Sequence, residues 1–264
     1  MKKILSILIA GSFVWSGCDK EPKYNAEFAE GDLSTTAFVK FVNAYSYATP
    51  VFAGQTTASF QLTYNGAQFS ATPIGLGAAF PASPNYAAIS REFTQKDMTV
   101  RLALGTPPAA VRDSVLFTFK PNFSLGRYYT FFLCDSVTNE SRRILITEDD
   151  VREPGGTALY RIRFANLIPN MPTATPTLEL FSFRARAAIF TGIPARGVTP
   201  FIEVPVQGVN VADTFQIRYT GSTTALATLN TVATNGQQSL TVFARGFVGA
   251  TGTRAPTIST YRNR

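Results

Sequence analysis

The sequence predicts an all-β protein, built as two tandem antiparallel β-sandwiches of the Ig-like kind, and three observations predict it. Short runs alternate apolar and polar side chains, as half-buried strands do. The composition is rich in Phe (22) and Tyr (10), while 19 Gly and 16 Pro punctuate it. No amphipathic helical stretch of any length follows the N-terminal segment, so the strands have no helical spacers to force parallel pairing.

Each strand can be argued from its own residues. In 37–43, Val39 and Phe41 face one way and Lys40 the other. Met98, Val100 and Leu102 alternate with Thr99 and Arg101. In 160–166, Ile162 and Phe164 oppose Arg161 and Arg163. Phe215, Ile217 and Tyr219 alternate with Gln216 and Arg218 in the same fashion. Glycines, prolines and asparagines between these runs supply the turns.

The runs recur in order. Lys40-Phe41-Val42-Asn43 matches Arg163-Phe164-Ala165-Asn166 at an offset of 123 residues. Met98–Leu102 matches Phe215–Tyr219 at 117, and Tyr129–Phe132 matches Leu240–Phe243 at 111, the last pair preceded by Gly126 and Gly236. An offset that shrinks steadily is what loop deletions in a second copy produce, so a duplicated β-domain is the expectation.

Charge divides the chain the same way. Residues 18–33 carry net −3, residues 34–147 net +4, residues 148–156 net −3, and residues 157–264 net +7 from ten arginines and no lysine. The expected plan is a signal peptide over 1–17 and an acidic tether over 18–33. A sandwich over 34–147, an acidic linker over 148–156 and a second sandwich over 157–264 follow. The linker ends in Pro154-Gly155-Gly156 and is expected to be the protease-sensitive joint between two stable fragments.

The first residues read as an export signal. Lys2 and Lys3 precede an apolar run from Ile4 to Trp15, too short to span a bilayer, which needs about 20 residues. The run ends in Trp15-Ser16-Gly17-Cys18, which resembles a lipobox, with Trp15 where that motif usually has Leu. The resemblance implies cleavage before Cys18, lipid on its thiol, and attachment to a membrane through that lipid. The only cysteine beyond it is Cys134, so no intrachain disulfide is expected.

A strand ending hydrophobic-basic-Phe-x-Asn opens each copy, with Tyr160 two residues ahead in the second, a hairpin with the turn Tyr64-Asn65-Gly66 follows in the first, and a Gly-x-x-Tyr-Thr-aromatic strand closes it. Carried by Phe38–Tyr45, Phe60–Gly66 and Gly126–Cys134, and by Tyr160–Leu167 and Gly236–Gly246 in the second copy, this series resembles the β-sandwich family called domain of unknown function 4397, found in Bacteroidota lipoproteins. The second copy lacks the Tyr-Thr pair. The resemblance implies a cell-envelope location, an outer-membrane anchor and a sandwich fold, and it brings no catalytic residues.

Catalytic chemistry is sparse. The chain has no histidine, which removes the Ser-His-Asp and Cys-His arrangements and most zinc sites. Cys134, on a strand face with Tyr128, Thr130 and Phe132, reads as an inert buried thiol. Glu148, Asp149, Asp150 and Glu153 lack the spacing of a calcium loop and read as a solvated linker. The suggestive polar feature is the arginines: Arg161 with Arg163, and Arg184 with Arg186, are expected to form outward-facing forks that bind anionic groups.

The expected function is a non-catalytic binding or structural module of the cell envelope, for anionic glycans or an envelope protein partner. Neither a cofactor, a metal nor nucleic acid is expected. The rival reading is a carbohydrate-active enzyme, or an accessory subunit of a glycan-uptake or secretion system.

Overall fold

Among the described residues of the computed structural model, strands account for every named element apart from one short 3-10 turn at Gly252–Arg254. It describes residues 33–45, 59–91, 96–102, 115–134, 143–206 and 212–264; Cys18 and its neighbours lie outside the described residues. The N-terminal half contributes β1 (Thr36–Asn43), β2 (Phe60–Tyr64), β3 (Ala67–Gln68), β4 (Ala79–Phe80), β5 (Ala87–Ser90), β6 (Met98–Leu102), β7 (Val115–Phe119), β8 (Tyr128–Leu133) and β9 (Ile144–Glu148). The C-terminal half contributes β10 (Leu159–Asn166), β11 (Thr177–Ser182), β12 (Ala187–Pro194), β13 (Ile202–Pro205), β14 (Ala212–Tyr219), β15 (Ala225–Ala233), β16 (Ser239–Arg245) and β17 (Thr257–Arg262).

Each half is a pair of sheets around its own core. One sheet runs β4-β1-β8-β9, with β5 also on β1, and its counterpart runs β13-β10-β16-β17. The other runs β3-β2-β6-β7, and its counterpart runs β12-β11-β14-β15. The first core joins Val39, Phe41 and Phe131 to Phe60, Leu62 and Val100, and the second joins Ile162, Phe164 and Val242 to Leu178, Leu180 and Ile217. The alternation read from the sequence therefore names the core-facing residues. Pairing is antiparallel with one exception in each half: β1–β8 and β10–β16 run parallel. These are the first strand and a late one, joined by chain that crosses through the opposite sheet, as parallel neighbours require.

The repeat survives down to irregularities. The β6–β7 ladder slips register just after Val100, and the β14–β15 ladder just after Ile217, its counterpart at the offset of 117. The Asn of the repeated strand motif has one role in both copies. Asn43 donates to the Ile74 carbonyl at 2.9 Å and accepts from the Tyr45 amide; Asn166 donates to the Ile193 carbonyl at 3.0 Å and accepts from the Ile168 amide. Each ties the end of its strand to the opposite sheet's side of the sandwich through a side-chain amide. The two glycines ahead of the closing strands are needed for different reasons. Gly126 sits at φ +72°, where a side chain is strained, and a Cβ on Gly236 would lie 1.9 Å from the Thr157 carbonyl oxygen.

The halves are joined by more than a linker. Val42, Ala44, Phe132 and Cys134 pack with Ala165, Leu167, Phe243 and Tyr261 in a third buried cluster. Phe132 meets Phe243, its own repeat counterpart, at a centroid distance of 6.2 Å. The central strands β1 and β8 are thus buried on both faces, one by their own sandwich and one by the other half. Cys134 lies in this seam, buried, with the Arg196 guanidinium 3.6 Å from its sulfur.

Candidate functional site

The strand face that carries Arg161 and Arg163 also carries Ala165 and Leu167, so it turns into the seam rather than out to solvent. Arg161 is 4% exposed and Arg163 2%. The expected outward anion fork is corrected by that burial: the anions these arginines hold are the chain's own. Arg163 pairs with Asp149 at 2.6 Å, and donates to Thr241 Oγ1 at 2.8 Å and Tyr261 Oη at 3.0 Å. Arg161 pairs with Asp150 at 2.7 Å and donates to the Asp150 and Arg152 carbonyls. The 148–156 segment does connect the halves, but two of its acids are drawn into this network, and Asp149 is buried.

The network repeats like the strands. Lys40 and Arg163 are counterparts, as are Thr130 and Thr241; Asp149 and Asn263 follow β9 and β17 at the same place. Thr130 donates to Asp149, Thr241 to Asn263, and Asn263 reaches back to Asp149 at 3.2 Å. Lys40 lies 4.6 Å over the Tyr86 ring and Arg163 4.7 Å over Phe201. Tyr86 donates to Asp149 at 2.6 Å and the Lys40 ammonium to the Asn85 carbonyl. Burial pulls the Lys40 pKa down to about 7, against the opposing pull of the Asp149 charge. Burial lowers Arg163 as well, but there Asp149, Tyr261 and Tyr86 together outweigh it and the guanidinium is held firmly charged. Burial, followed by the charge of Asp149, pushes the Tyr86 hydroxyl well up. Such a cluster fixes how two halves sit together; it leaves no open position for a ligand.

Arg184 and Arg186 do not share a strand face either. They lie in the turn between β11 and β12, because the chain reverses after Ser182, whose hydroxyl bonds the buried Asp213. Arg184 is tied there by its amide to Asp213 Oδ1 and by its Nε to the Ala212 carbonyl, at 3.1 and 3.0 Å. Arg186 is exposed at φ +52°. Beside them Phe183 is 48% exposed, and Phe181 lies 3.6 Å beneath the Arg218 guanidinium on the outer face of the sheet.

Sequence reasoning missed a groove. It opens at the edge of the C-terminal sandwich, between β15 and β17, with Ser83 of the N-terminal half closing one end, and has a volume of about 300 Å³. Leu229, Val232 and Leu240 form its floor. Its rim is polar: Asn230 and Thr231 from β15, Thr260 and Arg262 from β17. Ser83 is fixed by the Arg262 backbone, accepting from its amide at 2.7 Å and donating to its carbonyl at 3.1 Å. Asn230-Thr231 form a bulge: β15 spends three steps from Leu229 to Val232 where β14 spends two from Asp213 to Phe215. Thr231 sits at φ +57°, which a β-branched residue adopts only under strain. Nothing in the residue types of 229–233 signals that bulge.

No protein-family model matches the chain, and no curated protein does. Among solved structures it is similar to a family 26 carbohydrate-binding module of Eubacterium rectale, solved in complex with maltoheptaose. The identity is 9%, over 87% of this chain and 97% of that one, and the TM-score is 0.26. A family 41 carbohydrate-binding module from streptococcal virulence factors, described as recognising alpha-glucan, is similar at 12% identity, over 84% and 96% of the two chains, with a TM-score of 0.26. At those scores neither likeness carries weight for function.

Proposed function

We propose that the chain is a lipid-anchored protein of the cell envelope, held in the outer membrane through Cys18, that acts as a non-catalytic binding module for a polysaccharide. The observation that carries the reading is how its polar groups are divided. Of the eight carboxylates among the described residues, all but the exposed Asp97 are bonded to the chain itself. Asp149, Asp150, Glu148 and Glu153 pair with arginines; Glu179, Glu203 and Asp213 accept hydrogen bonds from the Gly221 and Gly155 amides and the Ser182 hydroxyl. A glycosidase instead aims two carboxyl groups, about 5–9.5 Å apart, at one substrate bond. Asn230, Thr260 and Arg262, whose side chains are bonded to no described residue, line one groove, which suits binding without chemistry. The lipobox and the motif resemblance of both copies support the location.

One experiment tests location and activity together. Wild-type protein, extracted with a phase-separating detergent, is expected to enter the detergent phase with envelope polysaccharide bound and of undiminished chain length. Cys18→Ala should stay in the aqueous phase. Equal partitioning of the two would sink the anchor, and shortened polysaccharide would replace the binding module with an enzyme.

A further inference from the structure

The polar rim of the groove has a composition that selects among saccharides. Among the described residues lining it, Arg262 is the one with a charge. Its backbone is bonded to Ser83, which holds the residue in place, yet its guanidinium forms no hydrogen bond or ion pair with the described residues. That contrasts with Arg161, Arg163 and Arg264, each matched to an acid of this chain. The Asn230 amide and the Thr260 hydroxyl are likewise unengaged. The Thr231 hydroxyl donates to the Asn230 carbonyl, so its lone pairs remain open to a donor. The chain therefore presents a planar, bidentate cation, an amide and two hydroxyls around a half-apolar floor.

These are complementary to one ligand type. A pyranose ring offers an apolar face to a floor such as Leu229 and Val232, and hydroxyls to an Asn and Thr rim. The guanidinium fork matches a carboxylate in the ring plane. A volume of about 300 Å³ is at the lower limit of small-ligand pockets, enough for one terminal or side-branch sugar and too small for a long stretch of polymer. The strain at Thr231 has a place in this arrangement. The bulge turns Asn230 and Thr231 toward the groove, where a regular ladder would hold their backbone against β14.

We propose that the groove between β15 and β17 binds a single hexuronate unit of an acidic glycan, with Arg262 holding its carboxylate and Asn230, Thr231 and Thr260 its hydroxyls. The proposal rests on the binding-module reading and names the ligand class of that module.

Calorimetric titration of the full mature chain, in detergent, with a trigalacturonide and with its methyl ester tests it. The free acid is expected to bind at least tenfold tighter than the ester, and the margin should shrink as salt is raised, since an exposed charge pair is screened. Arg262→Ala should remove the margin while leaving the circular dichroism spectrum and melting temperature unchanged, because the side chain is exposed and unpaired. Asn230→Ala should weaken acid and ester alike. Equal binding of acid and ester, or an Arg262→Ala protein that still prefers the acid, overturns the carboxylate assignment and leaves the module reading standing. Preference for a phosphorylated sugar over the uronate overturns it too. A wild-type protein that binds no saccharide, acidic or neutral, overturns both.

Discussion

Asp149→Ala is expected to destabilise the protein by about 3–5 kcal/mol, enough to unfold it near its melting midpoint. The size follows from what remains. Arg163 stays charged at any accessible pH, is 2% exposed, and loses its one carboxylate partner among the described residues, at 2.6 Å. Thr130, Tyr86 and Asn263 lose a common acceptor in the same step. An uncompensated buried charge costs more than any one of those hydrogen bonds, which are each about 1 kcal/mol. Asp149→Leu combined with Arg163→Met should recover most of the loss, since an apolar pair of similar volume replaces the ions without leaving either alone. Thermal unfolding of the wild type and the two variants measures it; a double variant no more stable than Asp149→Ala would show that the ion pair is not what matters there.

Lys40 predicts an unusual pH profile. Its folded pKa, pulled to about 7, is below the unfolded value near 10.5. Between those pH values the unfolded chain binds more protons than the folded one, so stability rises with pH across that window. At lower pH the desolvation penalty of the charged ammonium is fully present. The slope reaches about 1.4 kcal/mol per pH unit for one proton. The groups facing Lys40 bound the effect: the Asp149 carboxylate opposes part of the lowering and Arg163 stays charged, while Tyr86 and Tyr261, raised by burial, reverse the slope above about pH 10 as the unfolded tyrosines ionise. Urea unfolding from pH 6 to 10 should show wild type gaining stability and Lys40→Met nearly flat and more stable at pH 6. Parallel curves for the two would mean that Lys40 keeps its proton throughout.

Much of this was legible in the residues. Alternation identified Val39, Phe41, Ile162 and Phe164 as core, and the repeat offsets located equivalent strands down to the shared register slip after Val100 and Ile217. Alternation reports parity, however, and not what covers the second face. Arg161 and Arg163 have the right parity for solvent and lie against another sheet instead. A signal was present: Lys40 and Arg163 occupy one repeat position, Thr130 and Thr241 another, and acids stand just downstream at 149 and 150. A basic residue and a threonine kept at the same place in both copies fit a shared contact between them better than two independent surfaces. The groove had no such signal, since it depends on a bulge and on two strand edges far apart in sequence.

The central claim is that the halves form one interlocked unit whose seam closes the groove through Ser83. The most direct test inserts a protease site between Gly155 and Gly156, cuts the folded protein, and passes it over a sizing column under native conditions. The two pieces are expected to co-elute at the position of the uncut chain, parting only in denaturant, because the apolar seam and the Arg163–Asp149 pair outlast the linker. Two separately eluting, folded fragments would contradict it.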